Sequence, residues 1–176
     1  MKIHLVITAL GKDRTGLLSE LSKAVADSGC SILDSRMAVL GGECAGIFLI
    51  VGNWSNVAKL EDVLRDLGNK LGFIISSKRT EPRATQTKLL PYVVEFTTTD
   101  QPGVIYKLAD FFASRSINIE DLYTGSYTNA SSGTPLFSLN MTINVPAELH
   151  ISELREQFMD FCDELNLDGV IEPLKR

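Results

Sequence analysis

The chain has 176 residues, of which 44% are hydrophobic and 22% charged, with a formal net charge of −5 and a sequence pI of about 5.1. That balance supplies no extended basic surface for phosphate contacts and so disfavours direct nucleic-acid binding. No apolar run approaches the roughly 20 residues that span a bilayer, so no membrane partner and a soluble protein are expected.

Residues 3 to 9 alternate, with Ile3, Leu5 and Ile7 on one side and His4, Val6 and Thr8 on the other, which predicts a strand with one covered face. His4 is then expected at a surface or interface. Gly11 and Lys12 break the strand, and Asp13 stands where a helix N-cap belongs. Leu17, Leu21, Ala24 and Ser28, with Leu18 and Val25 beside them, keep the three-and-four spacing of an amphipathic helix that Gly29 ends. Strands are predicted over Cys30–Leu40 and Ala45–Val51, joined by the tight-turn signal Gly41-Gly42-Glu43. A second helix presents Val57, Leu60, Val63, Leu64, Leu67 and Leu71 to the core, with Glu61, Asp62, Arg65 and Asp66 as its solvated face. Phe73–Ser77 reads as a fourth strand.

Between Lys78 and Pro91 the composition turns polar, with Arg79, Pro82, Arg83, Thr85, Gln86, Thr87 and Lys88, and reads as a linker. The pattern then repeats. A strand at Tyr92–Thr98 leads to a helix headed by Asp100, Pro102 and Gly103, with the proline placed in the first helical turn. Val104, Leu108, Phe111 and Arg115, with Ile105 and Phe112, keep helical spacing and make this core bulkier than the first. Strands follow at Asn118–Tyr127 and Pro135–Val145, connected by the polar run Thr128–Thr134, a candidate contact loop. Leu154, Phe158, Phe161, Cys162 and Leu165 face inward from a last helix, and Leu167–Leu174 closes the sheet.

Asp13-Arg14-Thr15-Gly16 and Asp100-Gln101-Pro102-Gly103 stand 87 positions apart, and the same offset superposes Leu21 on Leu108, Val25 on Phe112, Ile32 on Ile119 and Asp34 on Asp121. The chain is therefore read as an internal duplication of a β-α-β-β-α-β unit. The predicted fold class is α+β, with residues 1–80 and 91–176 as domains and 81–90 as the linker. A lone unit of this size buries only about 60–65% of its unfolded surface and is marginal, so the units are expected to dock. Cys30, Cys44 and Cys162 are an odd number without C-x-x-C spacing, and no secretory leader is expected. They predict buried, reduced thiols in a cytoplasmic protein. His4 and His150 stand far apart without ligand-spaced partners, so no metal site is expected.

The two turns put a residue without Cβ at a helix N-terminus, where free N–H groups point outward and an anion fits. DRTGLLSELSKAVADSGCSI and DQPGVIYKLADFFASRSINI resemble the opening of the ACT domain, the regulatory module of many amino-acid-metabolic enzymes. Two copies with no catalytic domain attached are similar to the glycine cleavage system transcriptional repressor family. The resemblance implies a ferredoxin-like fold for each half and an amino-acid effector, glycine first, held between ACT units in a homo-oligomer. It implies a LysR-type activator as protein partner, no cofactor and no catalysis. The implied ligand contacts are Asp13, Arg14, Gly16, Leu17, Ser31 and Ile32, then Asp100, Gln101, Gly103, Val104, Asn118 and Ile119. The second unit keeps the Asn-Ile pair common in the family; the first has Cys30-Ser31-Ile32 there and Thr15 where proline is common. Alternative readings are an effector-blind oligomerisation module, an acylphosphatase-like hydrolase resting on Arg14, and, weakest, an RNA-binding sheet, whose interleaved aromatic and basic residues are lacking.

Overall fold

The computed structural model describes residues 2–82, 88–99 and 102–175. The chain divides into two compact units, Met1–Ala84 and Thr85–Arg176. The first contains β1 (Ile3–Lys12), α1 (Leu17–Asp27), β2 (Ser31–Leu40), β3 (Glu43–Gly52), α2 (Trp54–Leu71) and β4 (Ile74–Thr80). The second contains β5 (Leu89–Thr99), α3 (Val104–Ala113), β6 (Asn118–Thr128), β7 (Pro135–Pro146), α4 (Ile151–Leu165) and β8 (Asp168–Pro173). The sheets have strand orders β2-β3-β1-β4 and β6-β7-β5-β8, with every neighbouring pair antiparallel. This is the α+β, ferredoxin-like architecture expected from the sequence, made twice.

Alternation along the central strands decides which face is covered. Leu5, Ile7 and Ala9 of β1 are buried, with Leu5 and Ile7 packed among Leu21 and Val25 of α1 and Val57, Leu60 and Leu64 of α2. In the second unit Tyr92, Val94 and Phe96 take the corresponding places and the core is aromatic. Phe112 meets Phe111 edge-on at 5.1 Å between ring centroids and stacks on Phe158 at 6.2 Å. Such contacts add about 0.5–1.5 kcal/mol each beyond the area they bury. All three cysteines are free and buried. Burial, with Asp163 and Asp168 nearby, pushes the Cys162 thiol up to about 11.

The Gly41-Gly42 signal is a two-residue hairpin: both glycines have positive φ, 61° and 89°, and Leu40 pairs with Glu43. That is the geometry a tight β2–β3 turn needs. Each unit also has a β-bulge at the same place, where the register shifts between Ile32 and Asp34 and again between Ile119 and Asp121.

The predicted linker is shorter at both ends than its composition implies. β4 runs on through Lys78, Arg79 and Thr80, which pair with Val6, Leu5 and His4, and β5 begins at Leu89. An edge strand can be polar because its side chains stay in water. Arg79 also gains partners, a two-pronged contact with Glu61 at 2.7 and 3.1 Å and the Trp54 ring at 5.8 Å. The Arg83, Thr85, Gln86 and Thr87 part of that reading lies outside the described residues. At the open face His4 is half-buried, and its Nδ1 is buried without a hydrogen-bond partner.

Candidate ligand-binding turns

Both duplicated turns end in a glycine that the chain bends through left-handed geometry. Gly16 has φ 89° and ψ −5°, Gly103 φ 83° and ψ 3°, and each is the N-cap of the helix that follows. The expectation that Asp13 caps α1 is thus corrected: the N-cap stands three residues later, at Gly16, which has no side chain to cap with. Asp13 instead donates its backbone N–H to the Gly42 carbonyl at 3.1 Å, tying the turn to the β2–β3 hairpin. Pro102 likewise precedes α3 in the turn and does not enter the first helical turn. Asp100 and Gln101 lie outside the described residues.

The physical reason for the later start is steric. Left-handed backbone costs an L-residue about 1–2 kcal/mol and glycine almost nothing, so the glycine is where the reversal falls. Leu17 and Val104, the first helical residues, are buried and anchor each helix start to its core. The first-turn N–H groups of a helix have no partner within the helix, and among the described residues nothing lies within 4 Å of where a Cβ would sit on Gly16 or Gly103. α2 differs, because the Asn53 side chain accepts from the Asn56 N–H at 2.8 Å. α4 also lacks a side-chain cap, so an open helix start by itself singles nothing out. Gly41, Gly42, Gly72 and Gly133 also combine positive φ with open space, so the distinguishing feature is a left-handed glycine at a helix start, repeated in both units.

The surroundings of the two turns differ in charge. In the first, Arg14 is held by Glu20 of the first helical turn at 2.8 Å, with both side chains partly exposed. Its guanidinium is paired with a carboxylate, unlike the basic cradle that a phosphate hydrolase needs. In the second, Lys107 occupies the position of Glu20, and α3 has no acidic residue in its first turn. The helix dipole adds about half a positive charge at each N-terminus. The second turn therefore offers an anion the more favourable field.

The remaining predicted contacts sit at the other end of each sheet. Ser31 pairs with Val51, which pairs with His4 near the start of β1, whereas Gly16 follows the end of β1. Eight residues at about 3.3 Å each separate the two levels, roughly 26 Å. Asn118 is likewise level with Asn144 and Pro91, a full strand length from Gly103. Asn118 and Ser31 are exposed, while Ile32 and Ile119 are half-buried against their own cores. One unit alone does not bring its turn and its second-strand start to a common small ligand. The sequence missed a different feature, an open concavity of about 580 Å³ on the second sheet, lined by Glu95, Tyr123, Asn140 and Asp168 among others. The Val93-Glu95-Thr97 alternation signals it. Its carboxylates suit an ammonium group and repel the carboxylate of a zwitterion.

Among the described residues there is no cluster of three metal-ligating side chains, and no helix is long and apolar enough to cross a membrane.

Three comparisons bear on this geometry. The ACT domain family model matches residues 3–78. The glycine cleavage system transcriptional repressor of Escherichia coli K12 is 31% identical over 168 residues, covering 96% of this chain and 88% of its own. A crystal structure carrying the name of the same repressor aligns with 100% of this chain and 99% of its own, at 32% identity and a TM-score of 0.74. A protein of unknown function from Galdieria sulphuraria shares the fold, with a TM-score of 0.81 at 24% identity over 99% of this chain and 100% of that one.

Proposed function

Starting from the fact that this chain belongs to the glycine cleavage system transcriptional repressor family of tandem ACT-domain proteins, we propose that it is a non-enzymatic sensor whose turns hold an amino acid. The observation that carries this reading is the pair of left-handed glycine turns at helix starts, with nothing among the described residues within 4 Å of where a Cβ would sit. The ligand's carboxylate accepts from the N–H groups at the start of α1 or α3, and glycine, which adds no side chain to accommodate, is the first candidate. The helix start supplies only about 0.3–1 kcal/mol when exposed and up to about 2 when partly buried, whereas millimolar binding needs about 4 kcal/mol. The ammonium end must therefore be held as well. A site that uses both the turn and the second-strand start takes them from two different ACT units, which in this proposal are brought together in a homo-oligomer. Occupancy then alters contact with a transcription factor, for which a LysR-type activator is the proposed partner.

Affinity is bounded by ligand size. At about 1.5 kcal/mol per heavy atom, glycine gains at most about 7.5 kcal/mol, which corresponds to micromolar binding at the tightest. Thermal unfolding with each amino acid in turn tests the proposal. Glycine at a hundred times its dissociation constant is expected to add about 2.7 kcal/mol and raise the melting temperature. A flat response to every amino acid would remove the sensing role and leave the effector-blind interaction module.

A further inference from the structure

The buried residues of the first unit fall into two apolar clusters, whereas those of the second form one. Leu5, Ile7, Leu21 and Val25 belong to the larger cluster, with Val57, Leu60 and Leu64 of α2. Ala9, Leu17, Cys44 and Phe73 make up the smaller, at the end of β1 and the tip of the β2–β3 hairpin. In the second unit Phe96, Val104 and Leu167, which answer Ala9, Leu17 and Phe73, share one cluster with Val94, Leu108 and Phe112.

Side-chain size explains the split. Ala9 pairs with Gly46 at the step of the ladder where Phe96 pairs with Leu139, and Cys44 pairs with Gly11 where Phe137 pairs with Thr98. The rings of Phe48 and Phe73 fold over Gly46 and Gly11, so closely that a Cβ on either glycine would meet them at 2.6 and 2.7 Å. They leave an apolar gap of about 10 Å³ between the clusters, bounded by Leu21 and Phe48 on one side and by Ala9, Leu17, Cys44 and Phe73 on the other. It has room for no more than one water and offers that water no polar partner. Atoms along such a gap forfeit their contacts across it, and regions joined to a core by few contacts are the ones that open alone.

We propose that the smaller cluster opens and closes as an element of its own, carrying the Gly16 turn, the first turn of α1 and the tip of the β2–β3 hairpin, and that an amino acid held at Gly16 keeps it closed. The bond from the Asp13 N–H to the Gly42 carbonyl links turn and hairpin in that movement. Leu17, the first residue of α1, packs in the smaller cluster and Leu21, one turn on, in the larger, so the helix parts between them. The N–H groups at the start of α1 thus lie on the moving side, and a ligand that needs them in helical array shifts the population toward the closed form. The closure rests on the amino-acid reading proposed above; the opening stands without it.

The first unit carries a reporter in each cluster, Cys44 in the smaller and Cys30 in the larger, both buried. Labelling the native full chain with a small disulfide reagent, with each cysteine followed by mass spectrometry, tests the proposal. Without amino acids, Cys44 is expected to react at least about tenfold faster than Cys30, at a rate that low urea leaves unchanged because a local opening exposes little surface. Phe73→Leu gives the first unit the residue that precedes β8, Leu167, and should speed Cys44 further while leaving Cys30 as it was. Cys44 and Cys30 reacting at one rate, with one dependence on urea, would show that the unit opens as a single piece and overturn the proposal. Glycine at a hundred times the dissociation constant found from the thermal shift should slow Cys44 by about a hundredfold. A Cys44 rate that glycine leaves unchanged while the melting temperature rises would place the ligand off the opening element and overturn the closure. A melting temperature that responds to no amino acid defeats the sensing role instead, and the urea series still decides the opening.

Discussion

Where the first unit puts Leu10, Ile47 and Ile74 on the open side of its sheet, the second puts Thr97, Asn140 and Asp168 at the same steps of the ladder. On the covered side the two agree, with Leu5, Ile7 and Ala9 answered by Tyr92, Val94 and Phe96, all buried. Burial fixes one side of each strand because a polar group there costs about 1–3 kcal/mol without a partner. The other side is free of that constraint. It is apolar in one unit and acidic in the other on matching ladders, so the fold leaves the composition of that face open.

The same contrast appears inside the cores and sets the largest expected effect. Phe112 and Val25 occupy equivalent helix positions, both sealed from solvent, but Phe112 is clasped by Phe111 and Phe158. Phe112→Ala should cost about 3–5 kcal/mol and Val25→Ala about 2, read unit by unit from hydrogen exchange in the central strands. Equal losses would show that neither the larger area of the ring nor its aromatic neighbours add to what a valine supplies.

The turns should behave alike where the cores do not. Gly16→Ala and Gly103→Ala each place an L-residue at positive φ with no steric neighbour, so each should lose about 1–2 kcal/mol of stability, measured by urea unfolding. Their effect on an amino-acid response should differ. The Lys107 side of the comparison predicts a greater loss of thermal shift from Gly103→Ala than from Gly16→Ala.

The smallest effect concerns pH and belongs to the second core. The Cys162 thiol is raised from its ordinary 9.0 to about 11 in the folded chain. A raised folded value means that stability is complete below about pH 9 and declines as the pH climbs toward 11. Cys162→Ala should lower the starting stability but flatten that decline in thermal melts between those limits. An unchanged slope would assign the decline to other groups.

Much of this was legible in the residues. Alternation in β1 and the three-and-four spacing of α1 need only local information, and Gly41-Gly42 has one economical use. The helix start was misplaced because Asp13 satisfies a capping rule in sequence, while the actual boundary is set by where the chain can enter left-handed backbone. The end of β4 was hidden because Lys78, Arg79 and Thr80 are polar, and their place in the sheet depends on pairing with β1 far away in sequence. The candidate contacts were readable as types and spacings. That the turn and the second-strand start stand at opposite ends of one unit follows only from the ladder register.

The bulges after Ile32 and Ile119 fall at matching steps, although the strands around them have drifted apart in composition. An extra residue in a strand inverts the phase of every side chain beyond it. In both halves the bulge turns the residue after it, Asp34 or Asp121, onto the sheet face away from the helices, where a straight strand continued from Ile32 or Ile119 would have aimed it at the core.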